Sequence, residues 1–164
     1  MAYELIETIE VGAGGAASIE FTSIPQDGVD LQVVVSARQT TGGNVSLMTL
    51  NSDSSGSNYT FVNLQGNGTN KYTDTISGSN YIYFGGTTSN IRTANTFGNA
   101  SAYISNYTSS VAKSISTDGV TESNETTAWQ TMAANTYTGT SPITTVTISR
   151  PFVQYSTASL YKIY

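Results

Sequence analysis

The chain has 164 residues, a net charge of −5, no His and no Cys, and only 10% of its residues are charged. Ser-His-Asp and Cys-His catalysis, thiolate metal sites and a disulfide framework are therefore excluded. The six cations, Arg38, Lys71, Arg92, Lys113, Arg150 and Lys162, are scattered, so the clustered positive footprint expected of a protein that binds nucleic acid or a membrane surface is missing.

Almost half of the chain is Thr, Ser, Asn and Gly. Such polarity suits a linker, but eleven Tyr and regular apolar runs argue for a packed domain, because disordered chains lack aromatic residues. The length fits one domain over residues 1–164, with no internal repeat and no composition shift to mark a boundary.

Leu5 to Val11 reads as a strand with acidic residues on its wet face, broken by Gly12 to Gly15. Ser18 to Thr22 alternates, and Pro25 with Asp27-Gly28 turns the chain. Leu31 to Ala37, the most apolar run and rich in β-branched residues, reads as a central strand. Val45 to Leu50 follows, then a polar loop from Asn51 to Asn58, a strand from Tyr59 to Leu64 and a turn at Gly66-Asn67-Gly68. Asn80 to Phe84 is a strand ended by Gly85-Gly86, and Ala100 to Tyr107 alternates well. Lys113 to Ser116 reads as a short strand closed by Asp118-Gly119. Thr121 to Ala134 reads as a long loop or the one helix candidate, weakened by its Thr content. Ile143 to Ile148 and Ser159 to Tyr164 complete the chain as strands.

About 8–10 short strands separated by turn signals, with little or no helix, predict an all-β antiparallel sandwich or jelly roll. The first and last strands both alternate, and their pairing would close one sheet.

The remaining acids are candidates for two-carboxylate chemistry: Glu122 with Glu125, Asp27 with Asp30, and Asp53 or Asp74. None has a diagnostic context. Turn and loop solvation is the competing reading, so no enzymatic activity and no cofactor are expected. Asp53 to Asn58 gathers oxygen side chains around Gly56, but one carboxylate is few for calcium. Sequons at Asn44, Asn58, Asn67, Asn99, Asn106 and Asn124 follow from the composition, and without a signal peptide they are expected to carry no glycan. Tyr81 with Tyr83, and Tyr103 with Tyr107, would each share a strand face, where they could bind sugar or protein or simply rim the core.

The succession Phe21-Thr22-Ser23-Ile24-Pro25-Gln26, Leu31 to Arg38, Ser57-Asn58-Tyr59 with Leu64 to Gly68, Ala94 to Gly98 and the closing Ser159-Leu160-Tyr161-Lys162-Ile163 resembles a family of small structural proteins of tailed, often aquatic, bacteriophages. Lys162 stands where that family usually has Gly. The resemblance implies a virion structural protein without catalytic residues. It would be a decoration protein on the head surface, partnered by the major capsid protein and by further copies of itself in a homo-oligomer such as a trimer. A tail-fibre module that recognises host glycan is the alternative. Either would be made in the host cytoplasm, with no nucleic acid and no membrane as partners. The interface residues expected from sequence are Tyr3, Leu5, Leu160, Tyr161 and Tyr164, apolar groups in terminal strands that would otherwise be exposed edges. The competing expectation is that these two strands pair with each other.

Overall fold

The computed structural model describes residues 2–121, 123–124 and 128–164, and these contain strands but no helix. In chain order the strands are β1 (Tyr3–Glu10), β2 (Ala16–Phe21), β3 (Asp30–Ala37), β4 (Val45–Leu50), β5 (Tyr59–Gly66), β6 (Lys71–Ser79), β7 (Ile82–Gly86), β8 (Gly98–Ile104), β9 (Lys113–Thr121), β10 (Trp129–Tyr137), β11 (Val146–Phe152) and β12 (Thr157–Ile163). They form an eight-stranded sheet, β1-β12-β3-β8-β9-β10-β5-β6, and a four-stranded sheet, β2-β11-β4-β7. Every ladder is antiparallel.

The connectivity has a simple logic. β1 pairs with β12, β2 with β11, β3 with β8 and β4 with β7. An outgoing run of four strands is thus matched by a returning run of four, rolled into two facing sheets, which is the jelly-roll arrangement. Two hairpins are inserted into this frame. β5–β6 lies between β4 and β7 in sequence, β9–β10 lies between β8 and β11, and the two zip together through β10 and β5. They extend one sheet by four strands and form a wing, for which the smaller sheet supplies no equivalent strands.

The jelly-roll strands obey the alternation that made them legible. In β3, Leu31, Val33, Val35 and Ala37 are buried, against Leu160 and Ala158 of β12 and the opposing Ile19, Phe21 and Ile148. At roughly 25 cal/mol per Å² of apolar surface removed from water, such a core is the main favourable term.

The pairing of first and last strands is present, with Leu5 opposite Tyr161 and Glu10 opposite Thr157. It does not close the sheet: β1 remains an edge strand. A bulge between Leu5 and Glu7, together with the acids Glu4, Glu7 and Glu10, makes that edge a poor template for further strand addition. Lys162 does not disturb the last strand. Its side chain is buried on the inner side, where Nζ donates to Asp27 at 2.8 and 2.9 Å and lies 3.3 Å from Glu4. These carboxylates, Asp27 foremost, hold the ammonium above its usual range.

The wing is where sequence reading and structure part. β6 carried no strand expectation, β10 begins inside the segment read as loop or helix and takes its end from Trp129 to Ala134, and β9 runs straight through Asp118-Gly119 to Thr121. The described residues form twelve strands where about 8–10 were expected.

Candidate binding surfaces on the inserted wing

Phe61, Ile115 and Tyr137 are buried inside the wing as usual, but beside them the polarity is locally inverted. Facing the smaller sheet are Thr117 and Thr121 of β9, Thr131 and Asn135 of β10, and Asn63 of β5, all at most 4% exposed. Facing solvent are Val62 (46% exposed), Leu64 (55%) and Met132 (51%). In register, Leu64 lies opposite Met132, and Val62 opposite Ala134.

The buried polar row has a local cause. β7 is the last strand of the smaller sheet, and its unpaired edge stands on the wing. Asn135 Oδ1 accepts from the Tyr83 amide at 3.0 Å, and Thr117 Oγ1 donates to the Tyr83 carbonyl at 2.9 Å. These side chains satisfy main-chain groups that a sheet edge would otherwise bury unpaired.

The outer apolar row lines a shallow depression of about 610 Å³ over β9, β10 and β5, rimmed by Ser116, Asp118 and Gln130. It adjoins a second depression of about 460 Å³ that reaches Tyr103 and Ser105. The outer face then continues across β8, β3 and β12 to β1. Three of the five interface residues expected from sequence lie on this same face: Tyr3 and Leu5 are about half exposed, and Tyr161 stands opposite Leu5. Leu160 is a correction. Its side chain is fully buried in the core and offers no surface, because alternation turns it opposite to Tyr161. Tyr164 is half exposed at the chain end, where its hydroxyl donates to Glu4 at 2.7 Å.

The tyrosine pairs also resolve. Tyr81 and Tyr83 both pack on Phe61, at ring distances of 6.0 and 5.3 Å. Tyr83 is pushed up to about 12, chiefly by burial, with the charges of Asp74 and Arg150 also acting on it. Tyr103 and Tyr107 do not share a face. Tyr103 donates to Asp30 on the outer side, and that bond pushes its pKa up to about 12. Tyr107 lies beyond β8, fully buried, donating to the Pro25 carbonyl and accepting from the Gly28 amide at 3.2 Å.

The acids mostly serve structure. Asp27 holds Lys162, and Asp30 accepts from Tyr103 and from the Asn106 amide. Glu122 and Glu125 lie outside the described residues. Asp53 is the hub of its loop: Oδ1 accepts from the Ser55 amide at 2.9 Å and from the Ser55 hydroxyl, while Oδ2 accepts from Asn58 at 2.6 Å and Tyr137 at 3.1 Å. Both oxygens are thus committed to donors of the chain itself. Among the described residues, no group of three or more His, Cys, Asp or Glu could hold a metal ion.

These donors, the Ser55 hydroxyl foremost, lower the Asp53 pKa to about 2. A lowered carboxylate contributes stability that is complete above its ordinary value near 4 and lost as pH falls through about 2. In urea unfolding, the wild type should lose about 1–2 kcal/mol between pH 4 and pH 2 on this account, after discounting for solvent. Asp53→Asn should flatten that part of the profile, and an unchanged slope in the variant would refute the assignment.

A scan against protein-family models found no match, and neither the curated proteins nor the solved structures contain one.

Proposed function

We propose that the chain is a non-enzymatic virion structural protein, a decoration protein that docks on the outer surface of a phage head through the outer face of its large sheet. The observation that carries this reading is the locally inverted polarity of the wing, which places Val62, Leu64 and Met132 in solvent and buries Thr and Asn. Apolar groups gathered on an exposed face and rimmed by Ser, Thr and Gln match the anatomy of an interface core with a polar rim. The low charge of the face suits a partner met through apolar area and hydrogen bonds. The sequence resemblance supplies the phage setting and names the major capsid protein as the partner, with further copies of the chain around it.

The test combines a variant with a location. Leu64→Gln together with Met132→Lys changes exposed side chains only and sets the new ammonium opposite Asp118, so the melting temperature should move by no more than a few degrees. Each Leu or Met buried on docking contributes roughly 1.5–3 kcal/mol, so retention on particles stripped of the native protein should fall about a hundredfold or more. Full retention by the double variant would refute docking through this face. Head density unchanged in particles lacking the protein, with antibody label on the tail, would overturn the head placement in favour of a tail fibre.

A further inference from the structure

The inner face of the wing is left open on the far side of β7, and aromatic rings gather there. Tyr83 and Tyr81 form a wall standing on Phe61. The floor is built by β5 and β6, whose cross-strand pairs on this face are Phe61 with Ile76, Asn63 with Asp74, and Gln65 with Tyr72. At the other end, Tyr72 stacks on Trp129 with ring centroids 5.7 Å apart and planes 28° from parallel. Tyr72 is 55% exposed and Ile76 37%, while Trp129, Tyr81 and Tyr83 are half-buried.

Phe61 and Asn63 of β5 are buried beneath this corner, 3% and 2% exposed, so its open strip is β6 itself. Tyr72, Asp74 and Ile76 lie exposed on one face of that strand, and from Tyr72 to Ile76 it spans about 13 Å, room for more than one sugar ring.

We infer that this corner, lined by Tyr72, Trp129, Tyr81, Tyr83, Asp74 and Ile76, is a binding site for a neutral polysaccharide. Pyranose rings present C–H faces that lie on aromatic rings, and hydroxyls that need acceptors such as Asp74 and Gln65. Asp74 and Arg150 oppose each other in charge around Tyr83, and the chain carries a net charge of −5, which favours an uncharged ligand. The site lies on the opposite face of the wing from the proposed docking surface. It stands independently of that reading, and a particle-bound copy would keep it turned outward.

The chain has a single Trp, and it lies in the proposed site, so its fluorescence reports occupancy directly. Dextran, a yeast mannan and a neutral galactan are titrated against the full chain, with alginate as an anionic control, and retardation is measured in gels containing each polymer. At least one neutral polymer should shift the Trp129 emission saturably and retard the protein, and alginate should do neither. Tyr72→Ala should weaken that binding about tenfold, while Tyr72→Phe, which keeps the ring, should stay within about twofold. Leu64→Gln with Met132→Lys should bind the polymer as the wild type does. The proposal is overturned by silence with all three neutral polymers, by a preference for alginate, by Tyr72→Ala binding normally, or by loss of binding in the outer-face variant. None of these outcomes alters the particle-retention result, so the two readings fail separately.

Discussion

Gly86→Ala is expected to abolish the cooperative fold, or to lower its stability by on the order of 4 kcal/mol or more. At Gly86, β7 runs into the large sheet at a backbone-to-backbone crossing. A Cβ there would sit 2.0 Å from the Asn99 carbonyl oxygen, 2.8 Å from its carbon and 3.0 Å from the Ala100 Cβ. Its positive φ of 49° alone would cost Ala only about 1–2 kcal/mol. The overlap decides the outcome, because the atoms it meets are main chain of β8, held between β3 and β9. Gly68→Ala isolates the other term. Its φ is +85° but nothing lies within 4 Å, so it should lose only about 1–2 kcal/mol. Gly119 gives the converse case. Its Cβ would lie 2.8 Å from the Asn99 oxygen and from the Gly86 Cα, with no positive φ involved. Urea melts of the three Ala variants should therefore rank Gly86 worst, Gly119 next and Gly68 mildest. A Gly86→Ala protein that melts within a few degrees of the wild type would refute the crossing.

Arg38→Met is expected to cost about 3 kcal/mol and to loosen one loop selectively. Arg38 is 8% exposed, and its guanidinium points into the segment between β7 and β8. Nη1 donates to Thr93 O at 2.8 Å and to Thr96 O and Oγ1 at 3.2 Å, while Nη2 donates to Arg92 O at 2.9 Å and Asn90 O at 3.2 Å. One cation thus satisfies four carbonyls of a loop that has no ladder of its own. Met keeps much of the stem's volume but supplies no donor, so those carbonyls lose the guanidinium that gathers them. Arg38→Lys should fall between, since a single ammonium cannot span the fork. Amide hydrogen exchange is the sharper readout: residues 90–98 should exchange much faster in Arg38→Met while β3 keeps most of its protection. Unchanged exchange in that loop would sink the argument.

The jelly-roll strands were legible because each buries one apolar face. In β3, buried Leu31, Val33, Val35 and Ala37 alternate with Gln32, Val34 and Ser36, and in β11 buried Val146 and Ile148 alternate with Thr147 and Ser149, matching the two-residue period of a strand. β10 defeated the same reading. Its inward positions are Thr131, Ala133, Asn135 and Tyr137, and its outward ones include Met132 and Ala134, so hydrophobicity alone points the wrong way or nowhere. β6 is exposed at eight of its nine positions and has no pattern to read. The signal that could have found β10 was length: a segment of β-tolerant Thr, Ala and Tyr following a Gly-terminated strand is long enough to return alongside it.

The candidate surfaces follow the same division. Tyr3 and Leu5 could be placed at an exposed edge from chain order, because β1 is an edge strand, whereas Tyr161 stands on β12, which lies between β1 and β3. Leu64, Met132, Tyr72 and Trp129 could not be placed from chain order, because their partners lie far away in sequence: Leu64 meets Met132 across β5–β10, and Tyr72 meets Trp129 across the hairpins.

By itself the sequence determined the class: absent His and Cys, sparse charge and alternating short runs permit an all-β domain whose polar excess forms turns and wet faces, since local alternation is set by neighbours two residues apart. Only the tertiary structure decided which polar residues go inside. Thr117 and Asn135 are buried because the edge of β7 must find hydrogen-bond partners, and the apolar groups beside them are turned outward as a result. That exchange is made between residues more than thirty positions apart in the chain, beyond the reach of any local pattern.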